Sequence, residues 1–258
     1  NGTTDSLKML LATKFMRPAV DPRAVARPRL LSRMDVAPGK RLTTITAPAG
    51  YGKTTLVNQW CDQQSRAVAW LSLDDHDDEP RRFWTYFIGA LEQTLLPHRD
   101  DIHHYLDAAD EQHLEGAITA LINALIEEAI PFCGLILDDY HLIQDPRIQR
   151  QMSFLIEHGP PALHLVLLSR TEPPLPLSKW QVKGWMNALH ASDLAFSEDE
   201  CYAFFNDYMG MALDGDAIRR LWQRTEGWAA AMQLAALSGS DRGDQAGASD
   251  VIEYGGDS

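Results

Sequence analysis

The 258-residue sequence has few cysteines and no long apolar run. Its three cysteines, Cys61, Cys133 and Cys201, are odd in number and far apart, which favours reduced thiols over a disulfide framework or a zinc site. No stretch is apolar for long enough to span a bilayer, and the first residues do not have the pattern of a secretory signal. We therefore expect a cytoplasmic protein with no membrane partner.

Basic side chains are also scarce. The chain has 23 Lys and Arg against 36 Asp and Glu, a formal net charge of −13. Proteins that bind a phosphate backbone do so with lysine and arginine that displace counterions. We therefore do not expect these residues to bind DNA or RNA directly.

What the chain does have is a regular alternation of apolar strands and amphipathic helices. Continuous apolar strands separated by helical patterns indicate a parallel sheet that is covered on both faces. The predicted fold class is α/β, a three-layer domain with a mainly parallel five-stranded sheet and a small helical subdomain after it. The predicted strands cover residues 42–47, 67–73, 132–139, 163–170 and 185–191.

The composition divides the chain into three parts. Residues 1–191 are predicted to form the α/β domain, and residues 192–238 a helical subdomain. Ser197 and Glu200 have the spacing of a capping box at the start of one of its helices. Residues 239–258 are polar and Gly-rich, which predicts a flexible tail or the truncated start of another domain.

The stretch "APAGYGKTT" follows the first predicted strand and precedes a predicted helix. Gly52, Lys53 and Thr54 fit the end of the P-loop pattern G-x-x-x-x-G-K-[ST], although Ala47 stands at the first glycine. In such a loop the backbone N–H groups surround a phosphate, the lysine reaches the β- and γ-phosphates, and the threonine hydroxyl binds Mg²⁺. The stretch therefore predicts that residues 1–191 are a P-loop NTPase domain, that is, a P-loop nucleotide-binding domain. The alternative is a Gly-rich turn with a surface lysine.

The stretch "LILDDYHLI" ends the third predicted strand in two carboxylates. Asp138 could hold Mg²⁺ through water at the carboxyl edge of the sheet, and Asp139 could orient or deprotonate an attacking water. Two aspartates that cap a turn are the alternative.

Arg170, in "LLSRTEPPLPL", follows the fourth strand and is expected at the same edge. Its guanidinium could reach the γ-phosphate and sense hydrolysis. Otherwise it is a surface arginine that pairs with Glu172 or with solvent. Asp74 and Asp75, after the second strand, are expected to be turn residues.

Two other charged or titratable groups suggest no site. The histidines His98, His103, His104 and His113 have no tight metal-ligand spacing and are interpreted as a solvated connection. The run "HDDEPRR" is predicted on a solvated loop, in which Arg82 could pair locally.

These motifs occur in order with "DLAFSEDE" and "TEGWAAAMQLAAL". From about residue 9 to residue 238, the sequence resembles the N-terminal ATPase module of the large MalT-like, LuxR-type transcription activators, which are signal-transduction ATPases of the STAND class. The resemblance implies a regulatory switch that binds ATP or ADP with Mg²⁺. It also implies slow ATP hydrolysis that resets an ATP-driven self-association.

Carried over by position, the motifs imply specific roles. Lys53 and Thr54 are the Walker A pair, Asp138 is the magnesium acid, Asp139 the catalytic acid and Arg170 the sensor. The predicted nucleotide-binding residues are Pro48, Ala49, Gly50, Tyr51, Gly52, Lys53, Thr54, Thr55 and Arg27; the predicted metal ligands are Thr54 and Asp138; and the predicted catalytic residues are Asp139 and Arg170.

The resemblance is incomplete in two places. "VARPRLL" keeps Arg27 from a motif that often carries Gly-Arg-Glu on the adenine side. The segment at Gly227 and Trp228 is expected to close over the nucleotide, with Trp228 as a core residue rather than a platform for adenine. We also expect DNA contact only through a C-terminal domain that this chain lacks, so that the chain is a fragment.

Two other functions stay open. A small-molecule P-loop kinase would need a lid with several arginines. Arg219, Arg220 and Arg224 have helical spacing but are interpreted as a solvated face. A module that binds nucleotide without hydrolysing it is the second alternative.

Overall fold

The computed structural model describes residues 10–19, 21, 23–35, 39–64, 67–96, 100–107, 111–129 and 132–240. Most of the predicted tail therefore lies outside the described residues. The strands are β1 (Leu42–Thr46), β2 (Val68–Ser72), β3 (Cys133–Asp138), β4 (Leu163–Ser169) and β5 (Met186–His190).

The α-helices are α1 (Pro28–Met34), α2 (Lys53–Gln63), α3 (Pro80–Thr94), α4 (Asp100–Asp107), α5 (Glu111–Glu127), α6 (Pro146–His158), α7 (Leu177–Val182), α8 (Ala191–Leu194), α9 (Glu198–Tyr202), α10 (Gly215–Thr225) and α11 (Ala229–Ser240). Short 3₁₀ turns cover Ala12–Phe15, Asp75–Asp77 and Tyr140–Leu142, and a π-helical segment, Ala203–Tyr208, continues α9. Among the described helices, none combines the length and the apolar character that a bilayer crossing requires.

The five strands form one sheet in the order β2-β3-β4-β1-β5, and every pair is parallel. This confirms the predicted α/β class and the five strands, each within a residue or two of its predicted bounds. At the carboxyl ends of the strands, Thr46 lies beside Ser169, and Ser72 lies beside Asp138. β1 ends at Thr46 because Pro48 has no N–H to continue the ladder, although the Ala47 N–H still donates to the Ser169 carbonyl at 3.1 Å.

Both faces of the sheet are buried. Leu135 and Leu137 of β3 pack in the core that includes α3, α5 and α6. Ile136, between them, packs on the opposite face with residues of α1 and α2. Alternate residues of one strand thus enter two different cores, which explains why the strands are apolar at nearly every position.

The helices after β5 have a core of their own. It contains Phe196, Cys201, Phe205, Ile218, Leu221 and Met232. The capping box predicted at the start of α9 is present: the Glu200 N–H donates to the Ser197 hydroxyl, and the Ser197 N–H donates to the Glu200 carboxylate. The cysteines Cys61, Cys133 and Cys201 are buried free thiols.

The predicted solvated loop "HDDEPRR" is wrong for Asp77, which is fully buried. Its carboxylate accepts hydrogen bonds from the Lys14 ammonium and from Arg82 Nε, the second at 3.0 Å. The local pairing predicted for Arg82 is therefore present. The charged composition of this run suggests a solvated loop. It does not reveal the burial of Asp77, because Lys14, the partner that makes this burial possible, lies 63 residues earlier in the chain.

We expect Gly227→Ala to lower the free energy of unfolding by roughly 3 kcal/mol or more. Gly227 has a φ of +71°, and a Cβ there would lie 2.4 Å from the Phe196 carbonyl oxygen. The matched control is Gly210→Ala, because Gly210 also has a positive φ, +68°, but a Cβ there would have nothing within 4 Å. It should lose only about 1 to 2 kcal/mol. Denaturant unfolding followed by tryptophan fluorescence measures both, and equal losses would contradict the steric argument.

Candidate functional site

The "APAGYGKTT" stretch forms the loop between β1 and α2. The residues predicted to bind nucleotide here, Pro48, Ala49, Gly50, Tyr51, Gly52, Lys53, Thr54 and Thr55, are consecutive, from the end of β1 into the first turn of α2. Gly52, the N-cap of α2, has a φ of +77°, which a residue with a side chain adopts only at a cost. The first N–H groups of α2 have no partner within the helix and carry its positive dipole end, an arrangement suited to an anion.

Lys53 is buried within this loop. Its ammonium donates to the Ala47 carbonyl at 2.7 Å and to the Pro48 carbonyl at 3.0 Å. Burial lowers the pKa of Lys53, against the opposing effect of the nearby carboxylates of Asp139 and Asp138. The cation is thus held at the loop by neutral carbonyl acceptors, which an anionic ligand could replace.

Thr54 and Asp138 are brought together from 84 residues apart. The Thr54 hydroxyl donates to Asp138 Oδ2 at 3.3 Å. Asp138 is 8% exposed, and its burial, followed by the charge of Asp139, raises the pKa of its carboxyl to about 6. In the described residues no cluster of three His, Cys, Asp or Glu side chains could hold a metal. One carboxylate with one hydroxyl suits Mg²⁺, which keeps several waters and takes further ligands from a phosphate.

Asp139 lies in the next turn, in the left-handed region with a φ of 58°. Its N–H donates to Asp138 Oδ1 at 3.0 Å, and its carboxylate is half-exposed. His141 Nδ1 lies 3.8 Å from Asp139 Oδ1 and is buried without a hydrogen-bond partner. Burial lowers the pKa of His141, while the Asp139 carboxylate opposes this effect. Sequence reasoning did not single out His141, whose only signal is its position two residues after the acidic pair.

Arg170 follows β4 directly and is exposed. Its charge contributes to the lowered pKa values of Lys53 and His141, so it lies within electrostatic range of both. The expected placement at the carboxyl edge of the sheet is therefore present. Its role in sensing a phosphate stays a prediction.

The helical subdomain contacts the loop of residues 47–52 between β1 and α2, which is called the phosphate loop after its predicted role. The Ala230 N–H donates to the Gly50 carbonyl at 3.1 Å, and Trp228 Nε1 donates to the Ala49 carbonyl at 3.3 Å. The Trp228 ring stacks on Tyr51, with centroids 6.2 Å apart. The prediction of Trp228 as a core residue is wrong, because the side chain is 38% exposed and lies against the loop.

A cavity of about 290 Å³ opens beside the loop. It lies between the core that α2 forms with the sheet and the core of the helices after β5. Gly52 and Thr55 line one wall and Phe196 and Tyr208 another. Arg27, 4% exposed, also lines it. Arg27 Nη2 donates to the Ala195 carbonyl and to Glu200 Oε2, both at 3.0 Å, whereas Arg27 Nε and Nη1 are buried without a partner. The cavity is therefore lined by apolar side chains together with one buried arginine.

The solvated connection predicted for the histidines is wrong for His103, which is buried. His103 Nε2 lies 2.9 Å from Glu92 Oε1 in a buried pair, so its part of the connection is not solvated. His98 and the side chain of His113 lie outside the described residues. Arg219 and Arg220 lie on the exposed face of α10, as predicted, and Arg219 pairs with Glu198 at 3.2 Å.

No protein-family model matches the chain. The sequence is 38% identical over 233 residues to the HTH-type transcriptional regulator MalT of Yersinia enterocolitica, an alignment that covers 89% of this chain and 25% of the relative. The MalT of Yersinia pestis strain Pestoides F is 37% identical over the same length. The chain thus spans about a quarter of the length of the curated relatives it matches.

Among solved structures, the fold is similar to that of a signal transduction ATPase with numerous domains (STAND) from Pyrococcus horikoshii, a protein with a tetratricopeptide repeat sensor. The TM-score is 0.53, and the match covers 86% of this chain and 30% of that chain. At 18% identity this likeness concerns the fold alone.

We expect Asp138→Asn to raise the stability of the ligand-free protein at pH 7.5 by about 1 to 3 kcal/mol. The folded pKa, about 6, lies above the ordinary value of 3.8, so the stability that this carboxyl contributes is present below pH 3.8 and is lost as the pH rises through 6. Asparagine cannot ionise and escapes this loss. Urea unfolding at pH 7.5 and pH 4 measures the effect, which should shrink at pH 4. The exposed Asp207→Asn is the control, and a variant no more stable than this control at pH 7.5 would contradict the argument.

Proposed function

We propose, on the premise that this chain is MalT-like in sequence over 89% of its length, that it is the nucleotide-binding regulatory module of a transcription activator and binds ATP or ADP with Mg²⁺. The observation that carries the proposal is the juxtaposition of Lys53, Thr54 and Asp138 at the carboxyl edge of a parallel sheet. In open α/β sheets this edge is where ligands bind.

The phosphates would bind at the loop between β1 and α2. The N–H groups from Gly50 to Thr55 and the dipole of α2 favour negative charge, and Lys53 would exchange the carbonyls of Ala47 and Pro48 for phosphate oxygens. Pro48, Ala49 and Tyr51 complete the loop.

The nucleoside would occupy the 290 Å³ cavity beside the loop. Apolar walls with a few polar groups are typical of such pockets. Arg27 lines this cavity, and its guanidinium would donate to acceptor atoms of the base or the ribose.

Thr54 and Asp138 would hold Mg²⁺, directly or through water, and the ion would neutralise charge on the phosphates. Binding of the cation requires the Asp138 carboxylate. With a pKa of about 6, this group is mainly ionised at neutral pH.

Slow hydrolysis of ATP is the reaction that the arrangement supports best. Asp139 is half-exposed beside Lys53 and His141, where its carboxylate could orient an attacking water. Arg170 would contact the γ-phosphate and distinguish ATP from ADP.

In a longer protein, hydrolysis would reset a switch whose ATP state self-associates. The curated relatives are named as HTH-type transcriptional regulators and are about four times as long as the match. We therefore propose that DNA contact belongs to another domain, in line with the net charge of −13 of this chain. A cytoplasmic site of action follows from the same proposal.

The first prediction concerns binding. Lys53→Ala should weaken ATP and ADP binding by roughly 10- to 100-fold, because a charge-assisted contact of about 1.5 to 3 kcal/mol is lost. Isothermal titration calorimetry with Mg²⁺ measures the affinity. Lys183→Ala, which removes an exposed lysine that lies 4.2 Å from the Trp185 ring, is the control and should bind normally. Unchanged affinity of the Lys53 variant would remove the phosphate-binding role.

The second prediction concerns turnover. Asp139→Asn should keep the affinity for ATP and slow hydrolysis by about 100-fold or more, because the amide cannot take up a proton. Phosphate release at saturating ATP gives the rate. An equal rate in both proteins would exclude Asp139 from the reaction, and no turnover in the unaltered protein would favour a module that binds without hydrolysis. A phosphorylated acceptor in the products would instead indicate a kinase.

A further inference from the structure

A buried ion cluster joins the first described residues to the loop after β2. Lys14, 5% exposed, comes from the 3₁₀ turn Ala12–Phe15. Its ammonium contacts the carboxylate of Asp77 and lies 2.7 Å from that of Asp74. Because a buried carboxylate is costly unless it is paired, the conformation of this loop depends on Lys14.

The cluster is anchored to α3 as well. Arg82 Nε donates to Asp77 Oδ1 at 3.0 Å. Lys14 Nζ and Arg82 Cζ lie 4.7 Å and 5.0 Å from the centre of the Tyr86 ring, and the Leu11 N–H donates to the Tyr86 hydroxyl at 3.2 Å. The first segment is therefore held by several contacts, with the buried Asp77 carboxylate at their centre.

The loop held by this cluster brackets the turn that carries Asp139. At one end the Leu73 N–H donates to the Asp138 carbonyl at 3.1 Å. At the other end Asp78 Oδ1 accepts from the N–H groups of Gln144 and Asp145, both at 2.7 Å. Residues 138–145 are thus fastened at both ends to residues 73–78.

We propose that Lys14 is a positioning residue for ATP hydrolysis: through Asp77 it holds the loop of residues 73–78, and through that loop it fixes the turn that carries Asp139. The inference rests on the proposed function. It assigns a role in hydrolysis to a residue that contacts neither the phosphate loop nor Asp139. Lys14 acts on Asp139 only indirectly, through residues 73–78 and the turn that follows Asp138.

The test is a comparison of ATP affinity with turnover in Lys14→Met. This variant leaves Asp77 with Arg82 alone and loosens the loop. A misplacement of Asp139 should lower the hydrolysis rate at saturating ATP by about 10- to 100-fold. The affinity should stay within about twofold, because the contacts of Lys53 with Ala47 and Pro48 do not involve this loop, and Asp138 is also held by the pairing of β3 with Ser72 of β2. An unchanged rate, or an equal loss of affinity and rate, would overturn the proposal.

A second variant tests the route. Asp78→Ala removes the fastening at Gln144 and Asp145 and should lower the rate in the same way. If both act through one turn, the double variant should be no slower than the slower single variant, whereas multiplied effects would overturn the shared route. Asp78→Ala also carries the comparison of affinity with turnover should Lys14→Met not fold.

Arg41→Met is the matched control for a general loss of stability. Arg41 donates to the carbonyls of Ile156, Glu157 and Gly159 at the end of α6, at the opposite edge of the sheet. This variant should unfold more easily yet hydrolyse at the normal rate. A rate loss equal to that of Lys14→Met would reduce Lys14 to a structural role.

Hydrogen exchange separates this inference from the proposed function. If the unaltered protein neither bound nor hydrolysed ATP, the proposed function would fail and the rate comparison with it. The amides of Gln144 and Asp145 should still exchange faster in Lys14→Met than in the unaltered protein. Unchanged exchange there would overturn the fastening itself.

Discussion

The parallel pairing of β3, β4 and β1 is the constraint on which the site depends. Because parallel strands end at the same edge, the residues after β1, β3 and β4 meet there although they are far apart in sequence. Thr54 and Asp138 lie 84 residues apart along the chain and within hydrogen-bond distance in space. For the same reason the charges of Asp138, Asp139 and Arg170 all influence the pKa of Lys53. If any one of these strands ran antiparallel to the others, the residues that follow it would lie at the opposite edge of the sheet.

A second constraint is the contact between the helical subdomain and the phosphate loop. The Ala230 N–H and the Trp228 indole donate to two carbonyls of the loop, and a Cβ on Gly50 would come within 2.6 Å of Ala230 Cβ. The cavity beside the loop is lined by residues of α2 and by residues of the helices after β5. A ligand that fills the cavity must contact both the α/β domain and the helical subdomain. Its binding free energy would therefore stabilise the arrangement of the two in which these contacts are made. The proposed nucleotide-dependent switch requires such a coupling.

Much of the fold was predictable because its signals are local. The five strands are β-branched or continuously apolar runs, and the capping box at Ser197 is a spacing of three residues. The phosphate loop is identified by a glycine and a lysine between a strand and a helix. The environments of Trp228 and Asp77 were not predictable. An indole in an apolar helical pattern suggests a core, and an acidic run suggests solvent, unless distant partners are known.

The sequence by itself determined the five strands, the capping box at Ser197 and the identity of the groups at the edge of the sheet, since these follow from patterns within a few residues. Only the tertiary structure decided which charges are buried and which aromatic ring covers the loop. Arg27 is buried because Glu200 and the Ala195 carbonyl accept from it, and Asp77 because Lys14 donates to it. The cost of burying a charge depends on partners from remote segments, and only folding brings those partners together.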